Sequence, residues 1–246
     1  MSERITYSSY LKINNILDQQ IPLSKSYHEE LFIIVHQISE LWFKLIINNI
    51  YQIQKYIIKE EIEKSIKLLD RIISIQKQLN SVWDVLSELS PSDYLSFRNH
   101  LGNASGFQSF QYRFLEFKLG KKNKSFLDIY EKNSHEYIAL SNEFYKDSLY
   151  DQVKALVLKK SDYSLFEKKC EEVYKYPENN YILYMLLEKL VAVDCNFKEW
   201  RFKHMNTVQK VIGMKKGTGG SKGVSYLKKI VDYEFFPDIW EIRTQL

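Results

Sequence analysis

The stretch from Glu178 to Ile212, ENNYILYMLLEKLVAVDCNFKEWRFKHMNTVQKVI, decides the fold. Leu183, Leu190, Phe197, His204 and Val211 recur every seven residues, and Leu186, Val193 and Trp200 form a companion row. That period belongs to one long helix whose apolar seam lies against other helices. The helix is predicted to follow Pro177 and run to about Ile212, where Gly213 ends it. His204 therefore sits in a seam, among Phe197 and Trp200, and not on a polar face.

The rest of the chain supports an all-α reading. Eight glycines and four prolines in 246 residues are too few for the frequent turns of an all-β protein. A long helix is predicted from about Tyr27 to Glu60; its early turns, Leu31 to Trp42, are apolar on nearly every face, which implies burial on all sides. A second is predicted over roughly Glu61 to Leu89, with a stripe through Ile66, Leu69, Ile73, Ile75 and Leu79. Ser90, Pro91 and Asp93 then supply a cap, a first-turn proline and an early acid for a helix carrying Tyr94, Phe97 and Arg98 and stopping near Gly102. A further helix is predicted from about Gly106–Phe107 to Gly120. Residues 1–24 read as an amphipathic arm, and 121–176 as a polar, lysine-rich region of shorter helices. No repeat, linker or composition shift divides residues 1–246, so one domain is expected.

Composition narrows the function classes. A hydrophobic content of 45% is ample for a core, and 15% is aromatic. The net charge of +4 is mild and its lysines are dispersed, which reads as solvation rather than a nucleic-acid footprint. Cys170 and Cys195 make no disulfide framework. No apolar leader follows Met1, and the apolar runs are broken well short of a membrane span. A cytoplasmic protein with neither membrane nor nucleic acid as partner is expected.

Four features carry chemistry. His204 has two readings, a core histidine bonded to a neighbour or an axial ligand of haem iron held by a helical bundle; spacing leaves both open. His36 shares a helix face with Phe32 and Glu40. A non-haem metal on His36 and Glu40 would need another histidine that no motif supplies, whereas a buried imidazole suits a ligand N–H as acceptor. Arg98, one turn beyond Tyr94, is either a solvated charge or an inward fork for a carboxylate. The run Gly217-Thr218-Gly219-Gly220-Ser221 matches neither GxGxxG nor GxxxxGK[ST] and follows a helix, so its glycines suit close approach to a ligand or a mobile lid. Thr218 is the one polar side chain within its Gly217–Gly220 part.

In order along the chain stand Thr6-Tyr7-Ser8-Ser9-Tyr10-Leu11, Gln20-Ile21-Pro22-Leu23-Ser24, Glu30-Leu31-Phe32-Ile33-Ile34-Val35-His36-Gln37 and Glu40-Leu41-Trp42. Phe97-Arg98, Asn103-Ala104-Ser105-Gly106-Phe107-Gln108-Ser109 and Tyr112-Arg113 follow, then Trp200-Arg201-Phe202-Lys203-His204, Gly217-Thr218-Gly219-Gly220-Ser221 and Phe236-Pro237-Asp238-Ile239-Trp240. This series resembles the tryptophan 2,3-dioxygenase family, haem enzymes that open the indole ring of L-tryptophan. The resemblance implies a bundle of long helices enclosing haem b, ferrous when active, with O2 as co-substrate and N-formyl-L-kynurenine as product, the first step of tryptophan catabolism through kynurenine.

By the same resemblance His204 is the axial haem ligand and His36 faces the indole N–H. Arg98 and Tyr94 take the substrate carboxylate, and Thr218 its ammonium and carboxylate end. Phe32 lines the indole pocket; Trp83, Ser105 and Gly106 lie at the haem. Tyr7, Tyr10 and Leu11 belong to an arm that completes a neighbouring subunit's pocket in a homotetramer, a dimer of dimers. Three departures stand out: His28-Glu29-Glu30 in place of the family's His-Asp-Glu, a slightly short approach from Ser24, and a middle region, roughly 121–180, shorter than the family's. A related haem oxygenase acting on a modified tryptophan or indole, and a non-catalytic haem- or tryptophan-binding helical protein, are the competing readings.

Overall fold

The heptad seam forms a continuous helix of 32 residues. The computed structural model describes residues 5–159, 162–220 and 222–246, so Ser221 of the glycine loop and Met1–Arg4 of the arm lie outside the described residues. Among the described residues all regular structure is helical. In chain order the α-helices are α1 (Tyr7–Leu11), α2 (Ile13–Leu17), α3 (His28–Ile58), α4 (Ile62–Leu86), α5 (Pro91–Arg98), α6 (Phe110–Leu119), α7 (His135–Phe144), α8 (Leu149–Leu158), α9 (Phe166–Lys175), α10 (Tyr181–Ile212), α11 (Val224–Ile230) and α12 (Pro237–Gln245).

The three long helices α3, α4 and α10 are the frame, with α4 lying against both of the others. Both rows of the α10 seam are buried or nearly so, from Leu186 and Leu190 through Val193 and Phe197 to Trp200 and Val211. They join one core with Leu69, Ile72 and Leu79 of α4 and Ile46, Ile50 and Ile53 of α3. Polar ties fix the register of α4 on α10. The Gln76 amide donates to the Val193 carbonyl (2.9 Å), and Lys203 reaches Asp84 (3.3 Å).

Helix ends follow local chemistry. Ser90 accepts from the Asp93 N–H while Asp93 accepts from the Ser90 N–H, a capping box that starts α5 as the sequence predicts. The helix expected from Gly106 to Gly120 is instead a short 3-10 turn, Gly106–Gln108, followed by α6. Ser109 breaks it: with ψ at 106° it leaves helical geometry, caps Tyr112 N–H, and donates its hydroxyl to Glu40 (2.6 Å).

The complete burial expected of early α3 is corrected. Ile34, Ile38, Leu41 and Leu45 remain exposed along one stripe, because α4, α6 and α8 cover only the other faces. The arm is likewise bare: Tyr7 and Tyr10 are 78% and 74% exposed. Its take-off is nevertheless pinned. The buried Glu29 carboxylate accepts from the N–H groups of Leu23 (2.9 Å) and Ser24 (2.7 Å). Burial raises the Glu29 pKa, but these bonds and that of the Ser24 side chain outweigh it and hold the group below its ordinary value.

At the other end, Asp194 of α10 is fully buried. Its Oδ2 accepts from the Phe235 N–H (2.9 Å), the Phe236 N–H (3.3 Å) and the Trp240 indole N–H (3.0 Å). One turn on, Lys198 pairs with Glu234 (2.6 Å), and Arg201 donates to the Tyr233 carbonyl (2.7 Å). The C-terminal segment is thus strapped along the helix that carries His204.

Candidate active site

A cavity of about 230 Å³ lies between α3, α4, α10, the 104–107 turn and the glycine loop. Phe32, His36, Trp83, Tyr94, Ser105, Gly106, His204 and Thr218 all line it. Residues separated by up to 186 positions therefore meet at one place, because α3 and α10 pass on either side of α4.

His36 comes from a part of α3 that is tightly constrained. Its Nδ1 lies 2.7 Å from the Phe32 carbonyl, which can only accept, so Nδ1 carries the proton. The other nitrogen, Nε2, is left as an acceptor. Burial pushes the His36 pKa down, against the Phe32 carbonyl and Glu40 which pull it up. The ring is thus neutral near pH 7. Phe32 packs 4.2 Å from it and also touches Tyr94 and Phe97, making an aromatic wall. Glu40 is committed elsewhere, accepting from Ser109 (2.6 Å) and Gln111 (3.0 Å), so it is a structural anchor and no partner for His36 in a metal site.

Among the described residues the His204 ring makes no hydrogen bond, and its contacts are aromatic. Its pKa is pushed down to about 4, first by burial and then by the positive form of His36. Trp83 stacks on the ring at 4.6 Å and 14° between planes, and Trp200 packs at 5.8 Å. The indole N–H groups of Trp83 and Trp200 are buried and have no acceptor among the described residues. A neutral, unpartnered imidazole beside two orphaned donors fits a large apolar cofactor that takes one nitrogen ligand and bears acceptor groups at its edge.

Arg98 does not line the cavity. Its Nη2 donates to the Lys216 carbonyl (2.6 Å) while its guanidinium stands 5.8 Å from the Tyr94 ring centre. It therefore holds the glycine loop at the cavity's edge. Thr218 donates its hydroxyl to the Ala104 carbonyl, a second latch between the same segments. Tyr7, Tyr10 and Leu11 are on the exposed α1, away from the cavity of their own chain.

The sequence reading gave no role to Tyr112, Arg113, Glu116 and Arg201, which form a buried charged cluster beside the cavity. Arg113 pairs with Glu116, and Arg201 donates to the Tyr112 hydroxyl (3.1 Å). Burial works against the Arg113 charge, but Glu116 overcomes it and the guanidinium stays protonated. The signal was present in Tyr112-Arg113-Phe114-Leu115-Glu116-Phe117: two opposite charges three apart inside an apolar run must meet on one buried face.

The chain is similar to known proteins along its whole length. The tryptophan 2,3-dioxygenase family model matches residues 1–172 and 142–246. The two matches overlap within 142–172 and together span the chain. A tryptophan 2,3-dioxygenase of Bacillus cereus is 41% identical over 261 aligned positions, covering 99% of this chain and 94% of the relative. One from Geobacillus thermodenitrificans is 42% identical, covering 99% and 93%. One from Erythrobacter litoralis is 40% identical, covering all of both chains. Identity of this order across the full length leaves no room for a chance alignment of scattered motifs: this chain belongs to the tryptophan 2,3-dioxygenase family.

Proposed function

We propose that the chain is a haem-dependent dioxygenase that inserts both atoms of O2 across the C2–C3 bond of the L-tryptophan indole, giving N-formyl-L-kynurenine. The observation that carries this is the pair of neutral imidazoles lining one aromatic cavity, one with a free acceptor and the other with no hydrogen bond among the described residues. His204 would hold haem b, with Trp83 stacked on the ligand ring and Ser105 and Gly106 lining the cavity. Ferrous haem, when bound there, supplies the iron that takes up O2.

The remaining work falls to the chain. His36 Nε2 accepts the indole N–H and orients the ring; no proton need leave it, since an indole N–H is a poor acid near neutral pH. Phe32 and Tyr94 enclose the apolar side of the substrate. Arg98 and Thr218 stand at the loop, each spending a donor on a backbone carbonyl. A carboxylate makes a shorter, charge-assisted pair with a guanidinium than a neutral carbonyl does, so the substrate's zwitterionic end can exchange for Lys216 and Ala104. One end of tryptophan is thus read by charge and the other by shape.

The exposed stripe of α3 and the bare arm support a homotetramer in which Tyr7, Tyr10 and Leu11 complete a neighbour's pocket. Among the described residues no helix is long and apolar enough to cross a membrane. Reconstitution with haem is expected to give a Soret band, and reduced enzyme with tryptophan and O2 a product heavier by both oxygen atoms. A product heavier by one oxygen would favour the related oxygenase acting on a modified indole. His204→Ala is expected to keep its helical spectrum and lose stoichiometric haem; full haem loading of that variant would overturn the ligand assignment.

A further inference from the structure

Gly219 lacks a side chain for want of space, not for backbone conformation. Gly213, Gly220 and Gly223 of the same loop have φ of 62°, 73° and 55°, where side chains are strained; Gly219 has no positive φ. A Cβ built on it would lie 2.5 Å from the Ser105 Cβ, 3.0 Å from the Ser105 Oγ and 3.5 Å from the Asn103 carbonyl oxygen. Carbon atoms in contact rest about 3.5–4.0 Å apart, so an added methyl displaces one side by about 1 Å or more.

Neither side yields freely. Ser105 is fixed by its own cap, its hydroxyl accepting from Phe107 N–H (3.3 Å) and its N–H donating to Gln108 (3.1 Å). On the loop, the Lys216 carbonyl is held by Arg98 (2.6 Å) and Thr218 is held by Ala104. Gly219 is thus a point where a side chain has no room between two segments that are each tied down, and it adjoins Thr218.

We propose that Gly219 is a positioning residue: its bare Cα is the seat on which the loop rests against Ser105, and that seat sets how deep Thr218 and the Lys216–Arg98 pair stand for the substrate's charged end. This rests on the proposed roles of Thr218 and Arg98. Displacement of about 1 Å in such a contact is enough to cost up to about a hundredfold.

The test is a double-mutant cycle on reconstituted enzyme with Gly219→Ala, Ser105→Gly and the pair together. Each is read by KM and kcat for L-tryptophan and, without substrate, by the rate of tryptic cleavage after the exposed Lys215, Lys216 and Lys222. Gly219→Ala in the native background is expected to raise KM at least about tenfold with a much smaller change in kcat, and to speed loop cleavage. In the Ser105→Gly background, where the opposing Cβ is gone, both penalties are expected to shrink to within about twofold. Equal penalties in the two backgrounds, or native KM and cleavage in Gly219→Ala, would overturn the proposal. Changed cleavage that Ser105→Gly suppresses, with KM unmoved, would keep the seat but sink its link to substrate. Absence of tryptophan turnover in the native enzyme would sink the proposed function while the cleavage comparison still judged the seat.

Discussion

His36 shows how one backbone carbonyl assigns a role to a side chain. Because Nδ1 donates its proton's hydrogen bond to the Phe32 carbonyl, Nε2 is the nitrogen left to accept, and only while the ring is neutral. Burial lowers its pKa below the ordinary histidine value of about 6.5, so protonation and loss of the acceptor come only at more acidic pH. KM for tryptophan is therefore expected to be flat from about pH 8 to 6.5 and to rise below that; a rise centred at or above 6.5 in initial-rate measurements would refute a neutral acceptor. Arg98→Leu removes a charge-assisted contact worth roughly 2–5 kcal/mol and is expected to raise KM by well over tenfold, while an unchanged KM would take Arg98 out of the site. Both histidines were legible in the sequence because periodic apolar helices make a polar interruption conspicuous. The partner of Arg98 was not: a main-chain carbonyl 118 residues away in a glycine-rich loop leaves no mark in side-chain pattern.

At the scale of elements, periodicity carried the long helices to within a few residues of their ends, and the serine–proline–acid start of α5 was read from its capping chemistry. The split between the 3-10 turn and α6 escaped, since Ser109 breaks the helix only by reaching Glu40 on another element. The strap on α10 escaped as well. A lone aspartate beside the seam gave no hint of three donors from the C-terminal segment. Asp194→Ala would leave those buried donors without an acceptor, each costing about 1–3 kcal/mol. We expect a loss of about 3 kcal/mol or more, read as a lower urea midpoint at unchanged m-value; a loss under 1 kcal/mol would show that the segment is held by its aromatic packing instead.

For the whole molecule, the α3 stripe of Ile34, Ile38, Leu41 and Leu45 and the arm's Tyr7, Tyr10 and Leu11 are exposed apolar surfaces on which the proposed homotetramer would be built. Removal of residues 1–17 is expected to lower the oligomeric mass in sedimentation velocity and to raise KM for tryptophan. Unchanged mass and kinetics would show that the arm neither bridges subunits nor completes a neighbour's site. The strap that ties Asp194 to Phe235, Phe236 and Trp240 makes the site depend on residues that do not line it. A chain cut just short of Tyr233 would keep every side chain that lines the cavity and lose the ties along the helix bearing His204.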